Sequence, residues 1–280
     1  MGKTIPLITL NDGLQIPSIG LGTYALNGAQ GVSAIQSALD NGYRLLDTAF
    51  NYENEGAVGE AIRRSSVARE EIIVTSKLPG RHHRYDRALK TIQESLYRLH
   101  VDYLDIYLIH WPNPKRDLYV EAWQALIDAK KWGLVRSIGV CNFNAEHIDR
   151  LLQETGVAPS INQIELHPRF SQVEQLAYNQ SQGIVTEAWS PLERSGSVLQ
   201  DEKLIQIAKE HGKTPGQIIL RWHIQLGAVP LPKSASPKRQ LENLQVFDFA
   251  LNEQEMQLIS SLTSATGRIN NQDPAEYEEF

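Results

Sequence analysis

Short apolar, β-branched runs recur along this chain at nearly even intervals, and a stretch of helical periodicity follows almost every one. The runs are SIGLGT at 18–23, YRLLDTA at 43–49, EIIVTSKL at 71–78 and DIYLIHW at 105–111, then LVRSIGVCNF at 134–143, PSINQIELH at 159–167, GIVTEAWS at 183–190 and AVPLPKS at 228–234. Several are near-continuous rather than alternating, as expected of strands buried on both faces of a parallel sheet. In 86–99, Ala88, Leu89, Ile92, Leu96 and Leu99 share one helical face. Segment 117–131 carries Asp117 near its start and Lys130 and Lys131 at its end, matching the helix dipole. Further helices are expected near 30–41, 56–65, 145–154, 171–182, 201–211, 215–225, 236–246 and 252–262. Seven steps fill the 211 residues from Gly22 to Lys233, about 30 each, the size of one β–α unit. No repeat, low-complexity stretch or linker interrupts them. The pattern predicts an α/β protein whose residues 1–280 form one (β/α)8 TIM barrel, entered through a hairpin over 5–18 that turns at Asn11-Asp12-Gly13.

A second architecture competes locally. Gly20-Leu-Gly22-Thr-Tyr-Ala25 fits G-x-G-x-x-A after a strand, and Asp47 ends the next strand, near where a Rossmann domain keeps its ribose-binding acid. The helix does not open promptly after these glycines, however, and nothing downstream marks a second domain.

Composition narrows the functional classes. Net charge is −6 and mean hydropathy −0.33 over 280 residues, so no broad basic face for nucleic acid or anionic membrane is expected. No apolar run reaches the roughly 18 residues of a membrane helix, and the start, MGKTIPLITLNDG, lacks a signal-peptide pattern. The one cysteine, Cys141, excludes an internal disulfide and a multi-cysteine zinc site. These features point to a cytoplasmic protein, and to a monomer.

In a barrel the carboxyl ends of the strands converge on the active-site face. Here they carry Asp47, Lys77, His110, Asn142, Gln163, Trp189 and Lys233. Taken singly, Asp47 or Lys77 reads as a cap or a solvated charge, His110 as a rim histidine and Trp189 as a core aromatic. Together they point to a site. Asp47 and Lys77 end neighbouring strands, so a buried ion pair is natural, and a buried lysine needs such a partner. A lysine held charged in a cleft lowers the pKa of an adjacent hydroxyl. Tyr52, in the loop after Asp47, is the candidate; its phenol, ordinarily near pKa ~10, is expected to fall towards neutrality and exchange a proton with a carbonyl oxygen. His110 would bond the same oxygen.

These residues carry a resemblance. Gly42-Tyr-Arg-Leu-Leu-Asp47-Thr-Ala-Phe-Asn-Tyr52-Glu-Asn-Glu55, followed by Val58-Gly59, is similar to the first signature of the aldo-keto reductase family. Lys77 in IIVTSKL, His110 in DIYLIHWP, Ile138-Gly-Val-Cys-Asn-Phe143, Asn162-Gln-Ile-Glu-Leu-His-Pro168, Pro232-Lys233-Ser234 and Glu242-Asn243 resemble its later motifs, in order. The match spans essentially the whole chain and most resembles compact bacterial members, such as the diketo-gluconate reductases. It implies reduction of small aldehydes, ketones or keto-sugars by direct hydride transfer from NADPH, with NADH possible and no metal. Tyr52 would be the general acid, Lys77 and Asp47 would tune it, and His110 would position the carbonyl. Asn142 and Gln163 would hold the carboxamide and Trp189 would stack on the nicotinamide. Cofactor contacts would extend to Gly22, Thr23, Asp47, Ser190, Leu192, Ser234 and Glu242. Tyr24, Phe50, His110 and Trp111 are the expected substrate walls.

The loops after the seventh and eighth strands of a barrel frequently bind phosphate at a helix amino end. Lys233, Ser234, Lys238 and Arg239 form a basic cluster there. The resemblance makes it the 2′-phosphate site, with Arg239 near the adenine and Asn243 touching the base. The surplus segment SPLERSGSVL at 190–199 would strap over the pyrophosphate. Two departures stand out: Cys141 replaces a common serine, and Ser236 replaces a second basic residue. A nucleophilic Cys141 lacks evident His and Asn partners. His82-His83 has no acidic residue at ligand spacing and reads as an exposed loop rather than a metal site.

Overall fold

The computed structural model describes residues 5–280. Strands β1 (Leu7–Thr9) and β2 (Gln15–Pro17) form the expected antiparallel hairpin, Ile8 opposite Ile16. Gly13 makes its turn at φ +89°, a left-handed backbone open to glycine. Eight parallel strands follow in sequential order: β3 (Leu21–Gly22), β4 (Leu45–Asp47), β5 (Ile73–Leu78), β6 (Leu104–Ile109), β7 (Val135–Cys141), β8 (Ile161–Glu165), β9 (Val185–Trp189) and β10 (Ala228–Pro230). The sheet closes on itself, because the N–H of Gly20 donates to the carbonyl of Pro230 at 3.1 Å and that of Gly22 to Pro232 at 3.2 Å. None of these eight strands exceeds seven residues, and β10 stops at Pro230 because Pro230 and Pro232 bring no N–H to the ladder.

That closure disposes of the dinucleotide-fold reading of Gly20 and Gly22. A Cβ on Gly20 would meet the Leu231 and Leu45 side chains at 2.7 Å, and one on Gly22 the Leu231 carbonyl at 2.8 Å. The glycines let the first strand approach the last.

Helices α1 (Gly28–Asp40), α2 (Glu55–Arg64), α3 (Tyr85–Leu99), α4 (Tyr119–Lys131), α5 (Ala145–Thr155), α6 (Val173–Ser181), α7 (Glu202–His211), α8 (Pro215–Gln225), α9 (Pro237–Leu244) and α10 (Glu253–Ser260) surround the sheet, each within two residues of its expected bounds. Local chemistry sets the ends: Thr214 with Gln217 and Asn252 with Glu255 make reciprocal capping boxes, and Pro215 and Pro237 open their helices. Leu45, Ile106, Leu108, Ile161 and Val229 fill the barrel interior, and Leu10, Leu14 and Ile16 of the hairpin segment join that cluster. The hairpin therefore plugs one end, leaving the strands' carboxyl ends as the open face.

Candidate active site

A cleft of about 820 Å³ opens on that face. Of the expected site residues, Gly22, Tyr24, Asp47, Tyr52, His110, Trp111, Asn142, Gln163, Trp189, Ser190, Leu192, Lys233, Ser234, Arg239, Glu242 and Asn243 line it. Lys77 lies beneath. Thr23 is buried, its hydroxyl donating to the Asp47 carbonyl at 2.9 Å.

The floor is an ion pair. Nζ of Lys77, fully buried, donates to both carboxylate oxygens of Asp47 at 2.7 and 2.8 Å and to the Thr48 carbonyl at 2.9 Å. All three ammonium hydrogens are thus satisfied, the condition for charge in so dry a place. Burial opposes the charge on Lys77, but Asp47 and its neighbours outweigh it and hold the pKa above the ordinary lysine value.

Tyr52 sits over this pair, its ring centroid 5.0 Å from Nζ. A 3-10 turn, Phe50–Tyr52, presents it directly after β4, and Glu53 then turns left-handed at φ 53°. Asn54 pins the loop, donating to the carbonyls of Thr23 (2.6 Å) and Leu26 (3.2 Å) and accepting from the Thr48 hydroxyl at 2.7 Å. The phenol differs from expectation. Burial pushes its pKa up to about 12, and although Lys77 pulls the other way, Asp47 and Cys141 add to the rise. Desolvation outweighs one already-paired cation, so Tyr52 here is a firmly protonated acid rather than a near-neutral one.

Edge-on contacts place Tyr24 and His110 beside Tyr52, with ring centroids 5.2 and 6.0 Å away. Nδ1 of His110 lies 2.7 Å from Oε1 of Glu279, a close polar contact too poorly aligned for a hydrogen bond. Asn142, at φ 61°, donates to the His110 carbonyl at 3.0 Å and accepts from the Trp189 indole at 2.8 Å. Gln163 donates to Asp47 at 2.8 Å and to Glu187 at 2.9 Å.

A model of the Aldo/keto reductase family matches residues 18–264. The chain belongs to the aldo/keto reductase family. It is 51% identical over 276 residues to 2,5-diketo-D-gluconic acid reductase B of Corynebacterium sp. (strain SHS752001), covering 99% of both chains. It is 45% identical to methylglyoxal reductase DkgA of Escherichia coli (strain K12), covering 97% of this chain and 98% of that one. A crystal structure of a Gox0644 mutant in complex with NADPH superposes with a TM-score of 0.94 at 41% identity, covering 99% of this chain and 100% of that one.

In this aldo/keto reductase several expectations need correction. Phe50 is not among the cleft's lining residues: its ring is buried, under the Arg98 guanidinium at 4.1 Å and edge-on to His82 at 5.4 Å. His82 and His83 are not exposed either. The Gly80–His82 turn folds them inward, His82 meeting the Thr91 hydroxyl at 2.9 Å, while His83 is buried with neither ring nitrogen hydrogen-bonded. No cluster of three or more metal-ligating side chains occurs among the described residues. Burial raises the Cys141 thiol well above its ordinary pKa, which disfavours a nucleophile. Ser236 caps α9 through the N–H of Arg239, which accounts for a small polar residue at that position.

The lining residues that escaped the sequence reading include Asn51, Thr214, Gln272, Tyr277 and Glu279. Tyr277 packs against Trp111 with centroids 4.4 Å apart and the rings tilted by 57°. Glu187, beneath the lining, was also missed. Its inward-facing position on a barrel strand was a usable signal, whereas nothing local marks 277–279.

Proposed function

We propose that this reductase uses NADPH to reduce small aldehydes, ketones or keto-sugars, with Tyr52 as proton donor, Lys77 and Asp47 as its electrostatic partners and His110 positioning the carbonyl. The observation that carries the reading is the fully buried Lys77–Asp47 pair set beneath Tyr52 at the floor of the cleft, with His110 alongside. The names of the Corynebacterium and Escherichia coli relatives, and the NADPH bound by the Gox0644 neighbour, support the reaction class.

The residues present suit that cofactor. Lys233 and Arg239 bring cations to the loop after β10, beside the capped start of α9, a natural phosphate site. Ser234, Glu242 and Asn243 share the same wall, while Asn142, Gln163 and Trp189 line the neighbouring wall. Gly22, Ser190 and Leu192 add lining close to these groups, and the strap residues include left-handed Ser190, Glu193 and Arg194. Bound NADPH supplies the hydride.

The rest belongs to the protein. Tyr52 holds its proton throughout the neutral range, ready for a carbonyl oxygen as that oxygen gains negative charge. Lys77 stabilises the phenolate left behind. Glu279 takes up the Nδ1 side of His110, leaving Nε2 for the substrate oxygen. Tyr24, Trp111 and Tyr277 give the cleft aromatic walls suited to a range of carbonyls. The same reading takes residues 1–280 as one reductase barrel, acting as a cytoplasmic monomer.

The test follows NADPH absorbance with a panel of small aldehydes, comparing wild type with Tyr52→Phe, and NADPH with NADH. Wild type is expected to consume NADPH and Tyr52→Phe to bind it without turnover. Binding without turnover by wild type, or no binding, overturns the reading.

A further inference from the structure

Gln163 offers the cleft one kind of hydrogen-bonding group, and Glu187 decides which. The two residues stand opposite each other in the register of β8 and β9. Nε2 of Gln163 donates to Oδ1 of Asp47, across the barrel, at 2.8 Å and to Oε2 of Glu187 at 2.9 Å. Both partners are carboxyl oxygens, so turning the amide end for end would set its own oxygen against them. One such bond fixes a point and leaves the amide free to rotate about its last torsion, whereas two fix its plane. The Glu187 carboxyl, pushed up to about 7 by burial and by Asp47, keeps an acceptor oxygen in either protonation state. The clamp therefore holds across neutral pH.

With both amide hydrogens spent, Gln163 has only its oxygen left for the cleft it lines. Asn142, also in the lining, keeps a donor. Its Oδ1 accepts from the Trp189 indole at 2.8 Å and its Nδ2 donates once, to the His110 carbonyl at 3.0 Å, which leaves one N–H uncommitted. The partners of each amide fix which end is nitrogen and which is oxygen. A primary carboxamide, with its NH2 and its carbonyl oxygen, is the complementary ligand for this pair. A methyl ketone or a carboxylate in its place brings no hydrogen to Gln163, and a desolvated acceptor is left unpaired.

We infer that Glu187 is a positioning residue that takes up the second amide hydrogen of Gln163, and thereby makes the cofactor site select a carboxamide over its ketone and carboxylate analogues. The inference rests on the NADPH reading of the cleft. Glu187 is fully buried and lies outside the cleft lining, so it acts on a ligand through Gln163 rather than by contact. Precise sites commonly depend on such support, because a ligand-facing side chain is only as well aimed as the groups that hold it.

Binding, rather than turnover, is the readout. Isothermal titration calorimetry gives Kd for NADP+, for its 3-acetylpyridine analogue, in which a methyl group replaces the amide NH2, and for 2′,5′-ADP, which has no pyridine ring. Wild type should bind NADP+ roughly tenfold or more tighter than the acetylpyridine analogue. Glu187→Met keeps the length of the side chain and removes the acceptor; it should shrink that ratio, with NADP+ the ligand that weakens. Both ligands carry the same pyridinium charge, so loss of the carboxyl charge cancels in the ratio. Glu187→Gln retains an acceptor oxygen and should restore the ratio, while 2′,5′-ADP should bind all three proteins alike. A wild-type ratio near one overturns the inference, as does a ratio that Glu187→Met leaves unmoved or Glu187→Gln fails to restore. Equal weakening of 2′,5′-ADP by Glu187→Met marks a merely structural role and overturns it too. Should Glu187→Met not fold, Glu187→Leu takes its place, and the wild-type ratio remains a test by itself. Wild type that binds neither NADP+ nor 2′,5′-ADP overturns the cofactor reading and this inference with it, whereas NADP+ binding without discrimination overturns this inference alone.

Discussion

Asp47 and Glu187 are joined through one nitrogen. Nε2 of Gln163 donates to Oδ1 of Asp47 at 2.8 Å and to Oε2 of Glu187 at 2.9 Å, so carboxyls from β4 and β9 take both amide hydrogens. This fixes the amide's orientation and leaves its oxygen as the end free for a ligand. Oε1 of Glu187 has no hydrogen-bond partner, and the side chain is fully buried. Burial first, and then the charge of Asp47, push its pKa up to about 7 against the pull of Gln163 and Lys77.

Glu187 should impose a pH slope on stability. Its folded pKa of about 7 lies above the ordinary value of 4.5, so folding takes up a proton between the two. The stabilisation is complete below the lower value and lost as pH rises through the upper one. Glu187→Gln imitates the protonated form and escapes that loss. Its melting temperature relative to wild type should therefore climb from about pH 5 to about pH 8, by the equivalent of at most about 3 kcal/mol. Parallel thermal melts check this; an offset independent of pH would contradict it.

Lys77→Met should abolish most reduction at neutral pH and leave NADPH binding by the folded fraction largely intact, since Lys77 touches Asp47 and Thr48 and lies outside the cleft lining. It should also destabilise by about 3–5 kcal/mol, because Asp47 is left as a buried, unpaired charge. Adding Asp47→Asn should recover part of that stability without recovering activity. Denaturant titration and cofactor fluorescence separate the effects, and equal loss of binding and turnover would refute the division of labour.

Arg239→Ala should weaken NADPH and spare NADH. Arg239 is exposed in the lining at the start of α9, and a hydrogen bond to a charged group contributes about 1.5–3 kcal/mol. The Kd for NADPH should rise roughly tenfold or more, with that for NADH nearly unchanged. Equal weakening of both would place the 2′-phosphate elsewhere.

Two glycines of α2 should respond oppositely to alanine. A Cβ on Gly59 would lie 2.2 Å from the Leu99 carbonyl oxygen, at the end of α3, whereas one on Gly56 would meet only the Arg98 carbonyl oxygen at 3.8 Å. Gly59→Ala should cost about 1–3 kcal/mol or more through overpacking, and Gly56→Ala should gain up to about 1 kcal/mol of helix propensity. Thermal melts that rank the two the other way would exclude this packing.

The barrel, its hairpin and its helices could be read from the chain because each rests on local regularity. Near-continuous β-branched runs at about 30-residue steps, one-sided helical faces and caps such as Asn252 with Glu255 act within a few residues of themselves. Asp47, Lys77, Tyr52 and His110 were legible for the same reason, as polar residues at or just beyond the ends of apolar runs. Their surroundings were not. Phe50 turning away under Arg98, His82 and His83 folding inward, Tyr52 rising to about 12 and Glu279 reaching His110 from 277–279 all depend on segments distant in sequence. Periodicity records what a residue does with its near neighbours along the chain. Burial and electrostatic environment are sums over every element that packs around a group, and those sums exist only once the barrel has closed.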